Sequence, residues 1–279
     1  MAVFEVNFHS ESLGRTVPMY VILPTDKHYF PGMQKREEGK PYKTLYLLHG
    51  VIGNYTDWLY CTKIKKYAEE KDLCVVMPSG DNSMYLDQGV DFYGEFIGKE
   101  IVEFTRKTFP LSHKREDTYI GGLSMGGFGA MRNGLKYHET FGAIVSLSGA
   151  FVLDEDTLIE VKKPMFAGET TTYKKRVFGD DLAAALVSDK NPKYLIETLA
   201  SENVVFPDIY MACGTEDFLL KKNEGIDKML SDHKIKHTFV TGPGSHEWDF
   251  WDTYIKKTLD WLPLESGVAS KSSENIGIE

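Results

Sequence analysis

Residues 120–130 read Ile-Gly-Gly-Leu-Ser-Met-Gly-Gly-Phe-Gly-Ala. Within this stretch, Gly122-Leu123-Ser124-Met125-Gly126 fits the pattern G-x-S-x-G, in which a strand ends, the chain turns sharply at the serine and a helix begins at once. The glycines have a steric role, because a serine with positive φ brings the residues two positions away close together, where a Cβ would collide. The pattern predicts a nucleophile elbow with Ser124 at its tip.

The residues on either side of this elbow agree with the interpretation. The run Thr118-Tyr119-Ile120 is β-branched and aromatic, as strands often are, and the small residues within 128–135 suit a helix packed closely on a sheet. A phosphate-binding loop fits less well, because no Gly-Lys-Ser/Thr ending follows and the glycine spacing is not that of a dinucleotide site. The alternative that stays open is a glycine-rich structural turn whose serine has no catalytic role.

The composition is that of a protein with a sizeable core. The chain has 279 residues, of which 42% are hydrophobic and 26% charged. Its net charge of −9, with no long basic run, argues against a nucleic-acid partner. No window approaches the ~18 apolar residues of a membrane span, and the first residues lack the pattern of a signal peptide. We therefore expect a soluble, cytoplasmic protein, for which a homo-oligomer is compatible with the sequence.

Short apolar runs alternate with helical patterns along the chain. The continuous apolar runs 44–48 and 73–77 are typical of central parallel strands that are covered on both faces. Residues 94–109 carry apolar side chains at helical spacing. Further strands are predicted at 2–8, 16–23, 143–147, 203–213 and 237–241, and further helices at 58–70, 219–231 and 247–261. This alternation predicts an α/β fold with a mostly parallel central sheet and helices on both faces.

One domain is predicted over residues 1–264. Residues 148–201 interrupt the alternation of strands and helices. They are polar, contain two prolines and are too long for one connection in a compact domain. We interpret them as a lid-like insertion over the strand ends, where α/β sheets keep their sites; a helical excursion without a role is the alternative. The composition of residues 265–279 predicts a flexible polar tail.

A serine hydroxyl needs a base to take its proton and a carboxylate to orient that base. After a nucleophile elbow, the acid and then the histidine follow along the chain, each on a loop after a strand. Among the histidines after Ser124, His246 lies in the glycine- and proline-rich loop 242–248, directly after the last predicted strand. For the acid, the loop after the preceding strand offers both Glu216 and Asp217.

The negative charge of a tetrahedral intermediate requires N–H donors that are already in place. The backbone N–H of Met125 is one candidate, since it lies at a helix N-terminus, where the helix dipole favours negative charge. The backbone N–H of Val51 is the other, in the loop that follows the strand 44–48. We interpret His49, in the same loop, as a brace. The aromatic residues that we predict to contact the substrate are Trp58, Trp248 and Tyr85. The alternative is that they anchor their segments in the core.

Four segments together resemble the putative-esterase branch of the α/β-hydrolases, over roughly residues 3–262. They are Leu47-Leu48-His49-Gly50, the run from Gly122 to Ala130, Gly214-Thr215-Glu216-Asp217, and His246-Glu247-Trp248 with Trp251. The resemblance implies an α/β-hydrolase fold and a serine carboxylesterase that uses neither a metal nor an organic cofactor. It implies Ser124 as nucleophile, His246 as base and Asp217 as acid. It also implies Val51 and Met125 as the oxyanion donors.

Within this branch the chain is most similar to the intracellular tributyrin-esterase type, beside acetyl xylan esterases, feruloyl esterases and esterase D. That similarity implies small-molecule ester substrates with acetyl to butyryl groups, and acetylated or feruloylated sugars. The S-formylglutathione hydrolase type has Cys-Thr-Asp-Glu-Asn after its His-Gly and a histidine before the serine. This chain has Asn54-Tyr55-Thr56-Asp57-Trp58 and Leu123 there, which disfavours that substrate. The alternatives are an acyltransferase with the same triad and a non-catalytic binding protein of the same fold.

Overall fold

The fold is built on one twisted sheet of eight strands. The structure is a computed structural model that describes residues 1–27, 29, 35–158 and 170–264. Its strands are β1 (Ala2–Ser10), β2 (Arg15–Leu23), β3 (Lys43–Leu48), β4 (Leu73–Pro78), β5 (Asp87–Gln88), β6 (Asp91–Phe92), β7 (Thr118–Leu123), β8 (Ala143–Leu147), β9 (Asp208–Gly214) and β10 (His237–Gly242). The order in the main sheet is β1-β2-β4-β3-β7-β8-β9-β10, while β5 and β6 form a small separate hairpin.

Six of the eight strands run parallel to one another. The strands β1 and β2 form an antiparallel hairpin at one edge, and β2 pairs antiparallel with β4. From β4 to β10 every pairing is parallel. The prediction of a mostly parallel sheet is therefore confirmed. Because these six strands point the same way, the loops after β3, β7, β9 and β10 meet at one edge of the sheet.

The helices cover both faces of the sheet, as predicted. They are α1 (Asp57–Cys61), α2 (Ile64–Glu70), α3 (Tyr93–Glu95), α4 (Ile101–Thr108), α5 (Met125–Lys136), α6 (Thr171–Phe178), α7 (Leu182–Leu186), α8 (Pro192–Ser201), α9 (Leu220–Asp232) and α10 (Trp248–Trp261). A π-helical turn, Phe96–Glu100, joins α3 to α4. Within the described residues, no helix combines the length and the hydropathy that a membrane span requires.

Two hydrophobic cores lie on opposite faces of the sheet. Alternate side chains of β4 belong to different cores: Cys74 and Val76 face the first, whereas Val75 and Met77 face the second. This alternation follows from the two-residue period of a strand, and it requires both faces to be apolar. The continuous apolar run 73–77 is explained by this double burial.

Several element boundaries differ from the sequence predictions. The helix predicted at 58–70 is two short helices, because the chain is extended at Thr62 between α1 and α2. The strand predicted at 203–213 begins only at Asp208, directly after Pro207. A proline has no backbone N–H to give to a neighbouring strand, so it stands at a strand's start. The hairpin of β5 and β6 was not predicted.

The segment 148–201 contains regular structure where it is described. It has a 3₁₀ turn, Glu155–Leu158, in its first part and the helices α6, α7 and α8 in its second part. The core-facing side chains Val177, Phe178 and Ile196 join the first hydrophobic core. Residues 159–169 of this predicted lid, and the predicted tail 265–279, lie outside the described residues.

Candidate active site

The elbow at Ser124 has the backbone geometry that its glycines predict. Ser124 has φ 54° and ψ −117°, and α5 begins at the next residue. Its carbonyl oxygen accepts hydrogen bonds from the N–H groups of Phe128, at 3.1 Å, and Ala150, at 2.9 Å. These bonds hold the strained serine, whose side chain reaches the edge of the sheet where the parallel strands end.

Ser124, His246 and Asp217 lie in one hydrogen-bonded series. The Nε2 atom of His246 is 2.9 Å from Ser124 Oγ, and its Nδ1 atom is 2.9 Å from Asp217 Oδ2. A carboxylate only accepts, so Nδ1 carries the hydrogen and the lone pair of Nε2 faces the serine hydroxyl. This arrangement can remove the hydroxyl proton as the oxygen attacks.

The geometry distinguishes the two candidate acids. The Asp217 side chain is fully buried against His246. The Glu216 carboxylate is exposed and accepts hydrogen bonds from the Gly244 N–H and the Thr215 hydroxyl. Glu216 therefore ties the histidine loop to the loop after β9, whereas Asp217 orients the imidazole.

The environment of Asp217 keeps it ionised. Burial acts to raise the pKa of Asp217, but hydrogen bonds from His246, the Leu219 N–H and Ser148 outweigh burial and hold the pKa below its usual value. The Leu219 N–H lies 2.8 Å from Oδ1. Burial raises the pKa of the neighbouring Cys213 to about 12, so Cys213 remains a neutral thiol beside the carboxylate.

Ser148 is a contact of Asp217 that the sequence did not reveal. It is fully buried, with φ 48°, and its Oγ accepts a hydrogen bond of 3.1 Å from Trp251 Nε1. Ser148 also contributes to the lowered pKa of Asp217. No motif marks this serine, because its hydrogen-bond partner Trp251 is 103 residues away in the sequence.

We expect Ser148→Ala to destabilise the protein by about 2 kcal/mol, because the buried Trp251 N–H loses its acceptor and Asp217 loses a donor. The stabilisation from the lowered pKa of Asp217 is complete above the unfolded pKa and is lost as pH falls through the folded pKa. The weaker support in the variant brings the folded pKa closer to the unfolded one, so the variant has less of this stabilisation to lose. Its deficit relative to wild type should therefore be largest near pH 7 and should shrink in acid. Denaturant unfolding at several pH values tests this, and a deficit that is the same at every pH would contradict it.

The loop after β3 is braced against the elbow. A Cβ added at Gly50 would lie 2.8 Å from Leu123 Cδ1 and 3.6 Å from Ser124 Cβ, so this backbone packs on the elbow itself. Val51 follows directly, and Met125 is the first residue of α5. The two backbone groups predicted as oxyanion donors thus belong to segments that touch at Ser124.

His49 holds this loop from behind. Its ring is buried, with Nδ1 2.7 Å from the Gly50 carbonyl oxygen, while Nε2 accepts a 2.8 Å hydrogen bond from the Gly80 N–H. This pair of bonds requires a neutral imidazole with the hydrogen on Nδ1. Burial lowers the pKa of His49 from the ordinary 6.5, which agrees with the bracing role that we inferred from the sequence.

Replacing His49 should change how stability depends on pH. A neutral buried histidine gives its full stabilising effect above its unfolded pKa near 6.5, and that effect is lost as pH falls toward the lowered folded pKa, by up to about 1.4 kcal/mol per pH unit. We expect His49→Gln to remove this part of the acid sensitivity, as measured by denaturant unfolding between pH 7 and pH 5. Parallel curves for wild type and variant would contradict the prediction.

Two of the three predicted substrate contacts are buried behind the same loop. Trp58 is 1% exposed and donates from Nε1 to the Leu48 carbonyl oxygen, at 2.9 Å. Tyr85 is 0% exposed and donates from its hydroxyl to the His49 carbonyl oxygen, at 3.0 Å. We correct their assignment from substrate contact to bracing of the loop after β3, because neither ring has surface open to a substrate. Trp248 is half-buried and packs edge-on against Trp58, at 5.6 Å.

The chain is similar in sequence to known proteins. The family described as Putative esterase matches residues 10–262 of the chain. An acetyl esterase of Caldicellulosiruptor saccharolyticus is 42% identical over 264 residues, which cover 94% of this chain and 98% of that protein.

Solved structures are similar to most of the chain. The fluorophosphonate-binding serine hydrolase F of Staphylococcus aureus has a TM-score of 0.79 and 32% identity, covering 94% of this chain and 98% of that chain. An S-formylglutathione hydrolase of Staphylococcus aureus, FrmB, gives the same values. A ferulic acid esterase with a TM-score of 0.72 and 20% identity covers 94% of this chain and 97% of its own, and it is similar in fold.

Proposed function

The chain belongs to this esterase family and is a serine carboxylic ester hydrolase, and from that premise we propose that it hydrolyses short-chain acyl esters through an acyl-enzyme on Ser124. The observation that carries the proposal is the series of 2.9 Å hydrogen bonds from Asp217 through His246 to Ser124. The substrates that we propose are small esters with acetyl to butyryl groups, and acetylated or feruloylated sugars.

In the first half of the reaction, Ser124 Oγ attacks the ester carbonyl carbon while His246 Nε2 takes the hydroxyl proton. The carbonyl oxygen becomes negative and accepts hydrogen bonds from the N–H groups of Val51 and Met125. As the intermediate collapses, the bond to the alcohol oxygen breaks, and His246 gives its proton to that oxygen. The alcohol leaves, and the acyl group remains on Ser124.

In the second half, water takes the place of the alcohol. His246 removes a proton from the water as its oxygen attacks the acyl carbon, and the bond to Ser124 Oγ then breaks as His246 returns the proton to the serine. The acid product leaves, and Ser124 is restored. Asp217 stabilises the imidazolium in both halves, which its lowered pKa supports.

The proposed preference for short acyl groups is supported by the relative named acetyl esterase, which is 42% identical over nearly its whole length. A thioester is the second candidate substrate, because the structural neighbour named S-formylglutathione hydrolase is 32% identical. The segment from Asn54 to Trp58, which departs from the pattern of that type, favours oxygen esters over the glutathione thioester.

The test measures hydrolysis of p-nitrophenyl esters from acetyl to octanoyl. A feruloyl ester and the thioester S-formylglutathione are assayed beside them. We expect kcat/KM to be highest between acetyl and butyryl and to fall with longer chains. Added alcohols and sugars measure transfer, since an acyltransferase would form the new ester at the expense of the free acid. Highest activity on octanoyl esters or on S-formylglutathione would contradict the proposal, and so would transfer that exceeds hydrolysis.

A further inference from the structure

An exposed aromatic ring lies directly beside the candidate base. Phe218 follows Asp217 in the chain and is 71% exposed. Its ring centroid is 4.8 Å from that of His246, with the two planes inclined by 51°. Single exposed apolar side chains are normal on a protein surface. Phe218 differs because its ring touches the imidazole of the hydrogen-bonded series and still presents most of its area to solvent.

The other contacts of His246 are buried ones. Its two ring nitrogens face Ser124 and Asp217. Trp251, which is 6% exposed, packs edge-on against the imidazole at 4.9 Å with the planes at 90°. The imidazole is thus already oriented by the carboxylate and by a buried ring. Phe218 adds open apolar surface beside it.

The chemistry decides which part of an ester reaches this surface. The leaving oxygen receives its proton from His246 Nε2, so it must come within about 3 Å of that nitrogen. The carbonyl oxygen is held on the other side, at the N–H groups of Val51 and Met125. The alcohol part therefore lies along the imidazole, and it has left the enzyme before water attacks the acyl group.

We propose that Phe218 forms a subsite for the alcohol part of the ester, and that this subsite takes an alcohol with a flat apolar face. The proposal rests on the proposed hydrolysis, whose alcohol side it specifies. Two sources share this chemistry: an aryl alcohol, which pairs with the phenyl ring as aromatic rings do, and a sugar, whose ring presents C–H groups on one face. A small aliphatic alcohol has too little surface to use the subsite.

The test compares esters that share one acyl group and differ in the alcohol: 2-naphthyl acetate, glucose pentaacetate and ethyl acetate. We expect Phe218→Ala to lower kcat/KM by about five- to tenfold for an alcohol that the ring contacts, with ethyl acetate within about twofold of wild type. The rate at which the common acetyl-enzyme loses its acetyl group should not change, since the alcohol is absent from that step. Phe4→Ala is the control, an exposed phenylalanine on the edge strand β1.

The outcomes separate this proposal from the proposed function. A loss with 2-naphthyl acetate alone identifies the aryl source, and a loss with glucose pentaacetate alone identifies the sugar source; a loss with both supports the shared chemistry. An equal loss with ethyl acetate, or slower deacylation, would mean that Phe218 only positions His246, and either result overturns the subsite. An active wild type with an unaffected variant also overturns it. A wild type that hydrolyses none of the acetates would instead refute the proposed function.

Discussion

Ser124→Ala should lower kcat for ester hydrolysis by about 10⁴-fold or more while leaving the fold intact. The variant loses the oxygen that His246 Nε2 faces at 2.9 Å, and no acyl-enzyme can form without it. Alanine keeps the backbone hydrogen bonds of the elbow, and the lost hydroxyl is small. We therefore expect a free energy of unfolding within about 1 kcal/mol of wild type.

The measurement is steady-state hydrolysis of p-nitrophenyl acetate, with denaturant unfolding of the same preparations. Ser146→Ala is a matched control, since Ser146 lies on the neighbouring strand β8 and, among the described residues, its buried hydroxyl has no hydrogen-bond partner. That control should retain wild-type activity, and a fluorophosphonate should label it but not Ser124→Ala. Turnover by Ser124→Ala above a tenth of the wild-type rate would refute Ser124 as the nucleophile.

Of the substitutions predicted to change stability, Gly126→Ala should lower the free energy of unfolding most. A Cβ at Gly126 would lie 2.3 Å from the Leu48 carbonyl oxygen and 2.7 Å from the His49 carbonyl oxygen. Both atoms are backbone, at the end of a central strand, so no side chain can rotate away to relieve the overlap. We expect a loss of about 4 kcal/mol in the free energy of unfolding, and the loop that carries Val51 should be displaced from the elbow.

Denaturant unfolding at pH 7 checks this prediction, and Gly225→Ala provides the matched control. Gly225 lies within α9, and a Cβ added there would meet nothing within 4 Å. Alanine is the better helix former, so the control should be about 0.5–1 kcal/mol more stable than wild type. Equal stability of Gly126→Ala and wild type would contradict the close approach of α5 to β3.

The sequence pattern did not determine which acidic residue orients His246 or where the aromatic rings lie. Glu216 and Asp217 are adjacent acidic residues, and the pattern of the chain left both open. The rings of Trp58 and Tyr85 are both buried, and each hydrogen-bonds to a backbone carbonyl oxygen where β3 runs into its loop. Residue type shows that a ring is apolar, but it does not show which side of a loop the ring occupies.

The sequence by itself determined the elbow at Ser124, the alternation of strands and helices, and the loop that bears His246, because these depend on steric and periodic rules that act over a few neighbouring residues. The tertiary structure decided which groups meet. His246 and Ser124 are 122 residues apart, and the hydrogen-bonded side chains of Ser148 and Trp251 are 103 residues apart. Such contacts depend on how the loops of separate parallel strands pack at one edge of the sheet, and no local pattern contains that information.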